Sequence, residues 1–164
     1  MSWRLTLLLT AVVILAGCGA TSELADAHIA ANAPTDKPVS WTDLRQMDRA
    51  IAPYVAQARA SYPEARARYL AGLPPRHSFF VTVDLRDSRG NVERVFLLVD
   101  RIDTGVIHGR IWNILQLVQG FTYRQAYSIP EAEVLDWTIT KPDGTEEGNF
   151  VGNYLDSLHE QPSQ

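Results

Sequence analysis

The residues best suited to chemistry gather in two short runs. In Val106-Ile107-His108-Gly109-Arg110-Ile111-Trp112-Asn113, strand alternation puts an imidazole, a guanidinium and an indole on one side, from His108, Arg110 and Trp112. The Asn113 amide follows just past them. These groups together suit an anionic or sugar ligand, or a protein contact in which Trp and Arg supply most of the energy. The plainer outcome is a solvated strand face with one packed Trp. In Val134-Leu135-Asp136-Trp137, a carboxylate stands where a strand should be partly buried, and it needs a partner there to keep its charge. Asp136 could serve as a general base, for which it would have to lie on a cleft floor within reach of His108 or His77. The structural role, accepting backbone N–H bonds from a nearby turn, is the expectation.

Other site chemistries find little support. The histidines at 28, 77, 108 and 159 have no HExxH or paired spacing. Glu146 and Glu147 beside Asp143 read as keeping a hairpin soluble. Ser78, Ser88 and Ser128 sit in no nucleophile elbow, and no glycine-rich loop is built to cradle phosphate. Neither a metal nor another cofactor is expected, and binding is expected ahead of catalysis.

Cys18 is the single cysteine of the 164-residue chain. It follows Arg4, an apolar run from Leu5 to Leu15, and the small pair Ala16-Gly17. The run is shorter than the ~20 residues that span a bilayer and has the anatomy of a secretory signal peptide. Small residues let a peptidase take the backbone, and a thiol at the next position can carry diacylglycerol by a thioether. Leu15-Ala16-Gly17-Cys18 resembles the lipobox of bacterial lipoproteins. That resemblance implies residues 1–17 as a cleaved leader and a lipidated, palmitate-bearing Cys18 as the mature first residue. With Gly19 and Ala20 following and no Asp, it implies the outer membrane, facing the periplasm. If the sole thiol carries lipid, no disulfide is available and the core alone must stabilise the domain.

The formal charge is −4, and removing Arg4 with the leader makes the mature chain more negative by a single unit. An acidic chain without a basic stripe is poorly suited to neutralising phosphates, so nucleic acid is not an expected partner. Residues 19–40 are small and polar, with Pro34 and Pro38. Such a segment cannot offset its ordering entropy and reads as a flexible tether of about 25 Å root-mean-square reach.

The elements that must position these groups follow as one domain over residues 41–158, with 159–164 a disordered tail. Leu44, Met47, Ala50 and Ile51 give a helix an apolar face, which Pro53 is expected to break. Ser61-Tyr62-Pro63-Glu64 has the form of a capping box opening a second helix that ends near Gly72. Arg59, Arg66 and Arg68 read as its wet side. Beyond Pro75 the pattern alternates. Strands are expected at 79–86, 92–101, 106–112, 121–129 and 134–140, with a last one near 147–151 after the Pro142-Asp143-Gly144 turn. Helices followed by six antiparallel strands make an α+β domain, its sheet curled at Gly105, Gly109, Gly120 and Gly148.

The run from Gly105 to Asn113, then Gly120, Val134-Leu135-Asp136-Trp137, Gly144 and Gly148-Asn149-Phe150, resembles the YegJ-like family of bacterial domains of unknown function. The helix from Ala58 to Leu70, feeding a strand at Phe79, is similar to that family's opening, and the likeness covers roughly residues 47–155. It makes Gly109, Gly120, Asp136 and Trp137 motif positions. Where the family tends to carry an acidic residue after the glycine of the fourth strand, this chain has Phe121. The resemblance implies a fold and no activity.

Three functions compete on these grounds. The first is a lipid-anchored module that binds or inhibits an envelope protein, or binds a glycan, through Arg110, Trp112, Asn113 and His108. The second is a cell-wall hydrolase with Asp136 as base. The third is a structural spacer, which would bury both Trp112 and Trp137 and leave no apolar patch exposed.

Overall fold

The computed structural model describes Ile29, Ala33, Pro34 and residues 44–159. The leader, Cys18 and most of the tether lie outside the described residues. The fold is α+β, with two helices and an open antiparallel sheet of six strands.

Helix α1 spans Leu44–Ala71 without interruption, with both Pro53 and Pro63 inside it. The expected break at Pro53 does not occur. A mid-helix proline forfeits one hydrogen bond and crowds the preceding turn, but packing outweighs that loss. Ile51, Ala58 and Ala65 recur every seven residues, two helical turns, and each is at most 2% exposed. Ser61 does not cap a new helix. Its hydroxyl turns back toward the Gln57 and Ala58 carbonyls, 3.1 Å from each. Gly72, at φ 96°, ends the helix in a left-handed conformation that suits glycine.

Strands β1 (Ser78–Arg86), β2 (Val92–Asp103) and β3 (Val106–Ile111) form the expected meander. Strand β4 (Ala126–Pro130) pairs with β3, while β5 (Asp136–Thr140) pairs with the other side of β1 and β6 (Glu146–Gly148) closes that edge. The order is β4-β3-β2-β1-β5-β6. Two expectations need correction. The fourth strand does not begin at Phe121, because residues 121–125 turn, with Arg124 at φ 65°. The last strand stops at Gly148 instead of reaching Val151. Gly148 and Asn149, at φ 83° and 52°, swing the chain out of the sheet into helix α2 (Phe150–His159). His159, expected in the tail, closes that helix, and residues 160–164 lie outside the described residues.

Alternation divides the sheet into two faces. Phe79, Val81, Val83 and Leu85 join Leu97, Ile107, Ile111 and Ile139 in the main core, against Ala58 and Ala65 of α1. Phe80, Phe96, Leu98 and Trp112 form a smaller cluster of their own. Ile29 and Ala33 pack against this second cluster, so part of the segment read as free tether lies on the sheet. A third cluster of Ile51, Val151 and Leu155 ties α2 to α1, with Tyr54 stacked on Tyr154 at 4.3 Å. The 3-10 turn Glu131–Glu133 is pinned to α1, where Glu131 accepts from the Tyr62 hydroxyl (2.8 Å) and Arg66 Nε (2.7 Å). Burial, reinforced by that bond, pushes the Tyr62 phenol well above its ordinary range.

Candidate binding surface

Strand β3 carries His108 and Arg110 in the predicted alternation, with Ile107 and Ile111 turned into the main core, while Trp112, expected as the strand's last residue, lies just past its end. Gly109 sits where β3 presses on β2. A Cβ there would collide with the Leu98 carbonyl and the Leu97 side chain, so close packing of the strands excludes a larger residue.

Each of the four candidate binding residues makes a specific contact. The Trp112 indole is 7% exposed and meets the edge of Phe80 at 6.3 Å, with Tyr123 tilted against it at 5.4 Å. The guanidinium groups of Arg110 and Arg124 lie 5.7 and 6.0 Å from its ring centre, within cation–π range. Arg110 also pairs with Asp100 at 3.2 Å. His108 Nδ1 lies 2.8 Å from the Ser128 hydroxyl across the β3–β4 pair. Asn113 Oδ1 accepts the Phe96 backbone N–H at 2.6 Å, prolonging the β2–β3 ladder by a side chain.

Beside Arg110 lies a groove of about 630 Å³. It opens because β1–β2 pairing ends at Phe80↔Leu98, and β2 then bulges between Val99 and Arg101. Tyr69, Leu73, Phe79 and Ile102 supply apolar lining, while Asp100 and Arg110 supply charge. Ile29 borders the same groove. The Tyr69 hydroxyl donates to the Val99 carbonyl at 3.3 Å, and burial followed by the Asp100 charge holds its phenol above the usual value.

Asp136 occupies a different setting. It is fully buried, its Oδ1 accepting the Trp137 N–H (2.7 Å) and its Oδ2 the Val151 N–H (2.6 Å) in the first turn of α2. A carboxylate at a helix N-terminus satisfies an orphan donor and complements the helix dipole. Trp137, 6% exposed, donates its indole N–H toward the Ala58 carbonyl (3.2 Å) and Ser61 Oγ (3.0 Å), locking β5 to α1. Gly148 admits no Cβ because the Trp137 carbonyl and ring fill that space.

Sequence reasoning missed the loop after Trp112. Glu93 of β2 reaches across to accept the backbone N–H groups of Gln116 (2.9 Å), Leu117 (2.8 Å) and Val118 (3.1 Å). Asp87 accepts the next one, from Gln119, at 3.1 Å. Hydrogen bonds led by the Asn91 amide hold the Asp87 carboxyl below its ordinary value. Successive N–H groups converging on one carboxylate form an anion nest filled from within the chain. Gly120, at φ 85°, lets the loop turn back. Ile114 and Leu117 on this loop are 84% and 63% exposed, and Tyr123, farther along and tilted against Trp112, is 44% exposed. Only the run of apolar residues hinted at this; the carboxylates lie more than twenty positions away.

Among the described residues no His, Cys, Asp and Glu cluster could hold a metal ion, and no helix is long and apolar enough to cross a membrane. Fold and surface define the class: an α+β domain whose open antiparallel sheet has one helix-covered face and one polar-aromatic face. No protein-family model, curated protein or solved structure matches the chain.

Proposed function

We propose that the chain is a lipid-anchored envelope protein, held through Cys18 at the outer membrane, that binds a partner through the sheet face around Arg110 and Trp112. The likeness to YegJ-like domains belongs to the same proposal. One observation carries the binding role: the groove beside Arg110 combines an apolar floor with a charged rim. Such a cleft suits a segment of an envelope protein, with a glycan as the second occupant. The role extends to inhibition if the bound protein is a hydrolase or toxin.

The hydrolase reading is weakened by Asp136, which is fully buried and already accepts two backbone N–H groups. A general base must reach its substrate's proton. The spacer reading fits the burial of Trp112 and Trp137 but not the exposure of Ile114 and Leu117.

The test uses the mature chain and its Arg110→Ala form. Each is incubated with purified peptidoglycan sacculi, and separately with envelope extract followed by cross-linking. Retention by one of these that falls at least tenfold in Arg110→Ala supports the assignment. Equal retention of both forms, or none of either, refutes it. Fractionation and palmitate labelling of the parent and Cys18→Ser chains test the anchor: label and pelleting should vanish together with the sulfur.

A further inference from the structure

We infer that the loop after β3 is a membrane foot, with Ile114, Leu117 and Tyr123 entering the phospholipid leaflet that holds the lipid on Cys18. This inference rests on the anchor reading above. The first support is composition. Two aliphatic side chains and a tyrosine stand exposed on one loop, the tyrosine tilted against Trp112, over whose ring the loop's own Arg124 also lies. Aliphatic tips that enter the acyl boundary, a tyrosine at the headgroup level and arginines toward phosphate are the components of interfacial binding.

The second support is rigidity. Glu93 and Asp87 fix four consecutive amides, Gln116 to Gln119, so the backbone that presents Leu117, three residues on from Ile114, is already ordered before docking.

The third support is the chain's path. Ile29 packs against the cluster that contains Trp112, the residue Tyr123 covers. Cys18 and Ile29 are eleven positions apart, a stretch that spans at most about 40 Å. From Leu98, which borders the groove with Ile29, to Glu93 is five strand residues, about 17 Å. A bilayer that holds Cys18 therefore lies within reach of the loop. Because the tether keeps that surface close at all times, even weak insertion is favoured as an intramolecular event. Lying on the membrane through this loop would fix the orientation of the groove, which opens at the opposite end of β2.

The experiment places a fluorophore whose emission depends on polarity at Ile114→Cys and, for comparison, at Glu64→Cys, an exposed site on α1. Both chains are purified in lipidated form and reconstituted into phosphatidylethanolamine/phosphatidylglycerol vesicles. Brominated lipid should quench roughly half of the Ile114 emission and under about a tenth of the Glu64 emission, as expected for shallow insertion. Adding Leu117→Ser to the Ile114-labelled chain should reduce that quenching at least twofold. Chains that pellet with vesicles yet show equal quenching at both sites, or none at either, overturn the foot and leave the anchor standing. Chains that carry no lipid and fail to pellet overturn both. Shielding of Ile114 that appears only when envelope protein is added identifies the loop as a protein contact and overturns its assignment to lipid.

Discussion

The two faces of the sheet are built from the same strands and closed by different means. Under α1, Phe79, Val81, Leu97, Ile107, Ile111 and Ile139 are all at most 1% exposed, and the helix meets them through the small residues Ala58 and Ala65. On the other face, Phe80, Phe96, Leu98 and Trp112 make a smaller cluster to which Ile29 and Ala33 add cover. Around that cluster the surface is ionic, with Arg94 on Asp84 at 2.9 Å and Arg110 on Asp100 at 3.2 Å. The first face is governed by volume, where each methylene counts. The second is governed by aromatic edges and partly solvated ion pairs, which can be changed at small cost to the fold. A recognition surface can therefore vary on the second face while the first keeps the domain folded.

The sharpest way to break this contrast is a matched pair of truncations. Leu97→Ala, in the helix-covered core, should lower unfolding free energy by about 4 kcal/mol. Arg110→Ala, on the opposite face, should cost under about 1 kcal/mol. Urea denaturation followed by circular dichroism measures both. Comparable losses would mean that the two faces are closed in the same way after all.

Asp136→Ala comes next, with an expected loss of about 3 kcal/mol, because the Val151 N–H would be left in a buried site without its acceptor. Asp136→Asn keeps one oxygen as an acceptor and should lose about half as much. Partner binding, measured well below the unfolding transition, should stay the same in both variants. A binding defect in a fully folded Asp136→Asn would return this carboxylate to the functional surface.

These cases show which regions of the molecule could be read from the chain. The meander β1–β3 and its inward sets were legible because period two and the intervening turns record them directly, although β1, expected half-buried, is covered on its second face as well at Phe80 and Thr82. The helices were legible only in part: the helical span ending near Gly72 was, its continuity was not. Pro53 and the Ser61-Tyr62-Pro63-Glu64 run are strong local stop and start signals, yet α1 runs through both because Ile51, Ala58 and Ala65 hold one stripe against the core. Helix α2 does carry local signals, Asn149 before Phe150 and the helical spacing of Val151, Tyr154, Leu155 and Leu158, which the expectation of a strand to Val151 overrode; its anchorage on Asp136, fourteen positions before Phe150, is the part the chain does not show. The same holds for the loop pinned by Glu93. Trp112 and Asn113 were identified as chemical groups, but only the fold shows that one is packed on Phe80 and the other extends the ladder to Phe96.

A smaller effect is expected from Glu93→Ala. Overall stability should fall by about 1 kcal/mol, since the bonds it makes are near the surface. Amide exchange at Gln116, Leu117 and Val118 should accelerate at least tenfold while β1 and β2 keep their protection. Hydrogen exchange resolved by mass spectrometry reads both. Unchanged exchange in the loop would show that Glu93 does not hold it, removing the rigidity on which the membrane foot depends.

The smallest effect concerns Glu147, at the edge farthest from Arg110 in the strand order. Hydrogen bonds from Arg68 and then Lys141 pull its carboxyl down to about 2, from an ordinary value near 4.5. The folded state therefore favours the ionised form, and the pair's contribution is complete above about pH 4.5, where the unfolded chain is ionised as well. It is lost as pH falls from there toward 2, because the unfolded chain takes up the proton first. With side chains a third or more exposed, solvent screens the pair, and Glu147→Gln should cost under about 1 kcal/mol at neutral pH. The difference between parent and variant should shrink through that window and disappear only below pH 2, where the Glu147 carboxyl is protonated in the folded state too. A difference that persisted undiminished below pH 2 would assign the residue's contribution to packing on α1, and would make this edge, like the helix-covered face, one governed by volume.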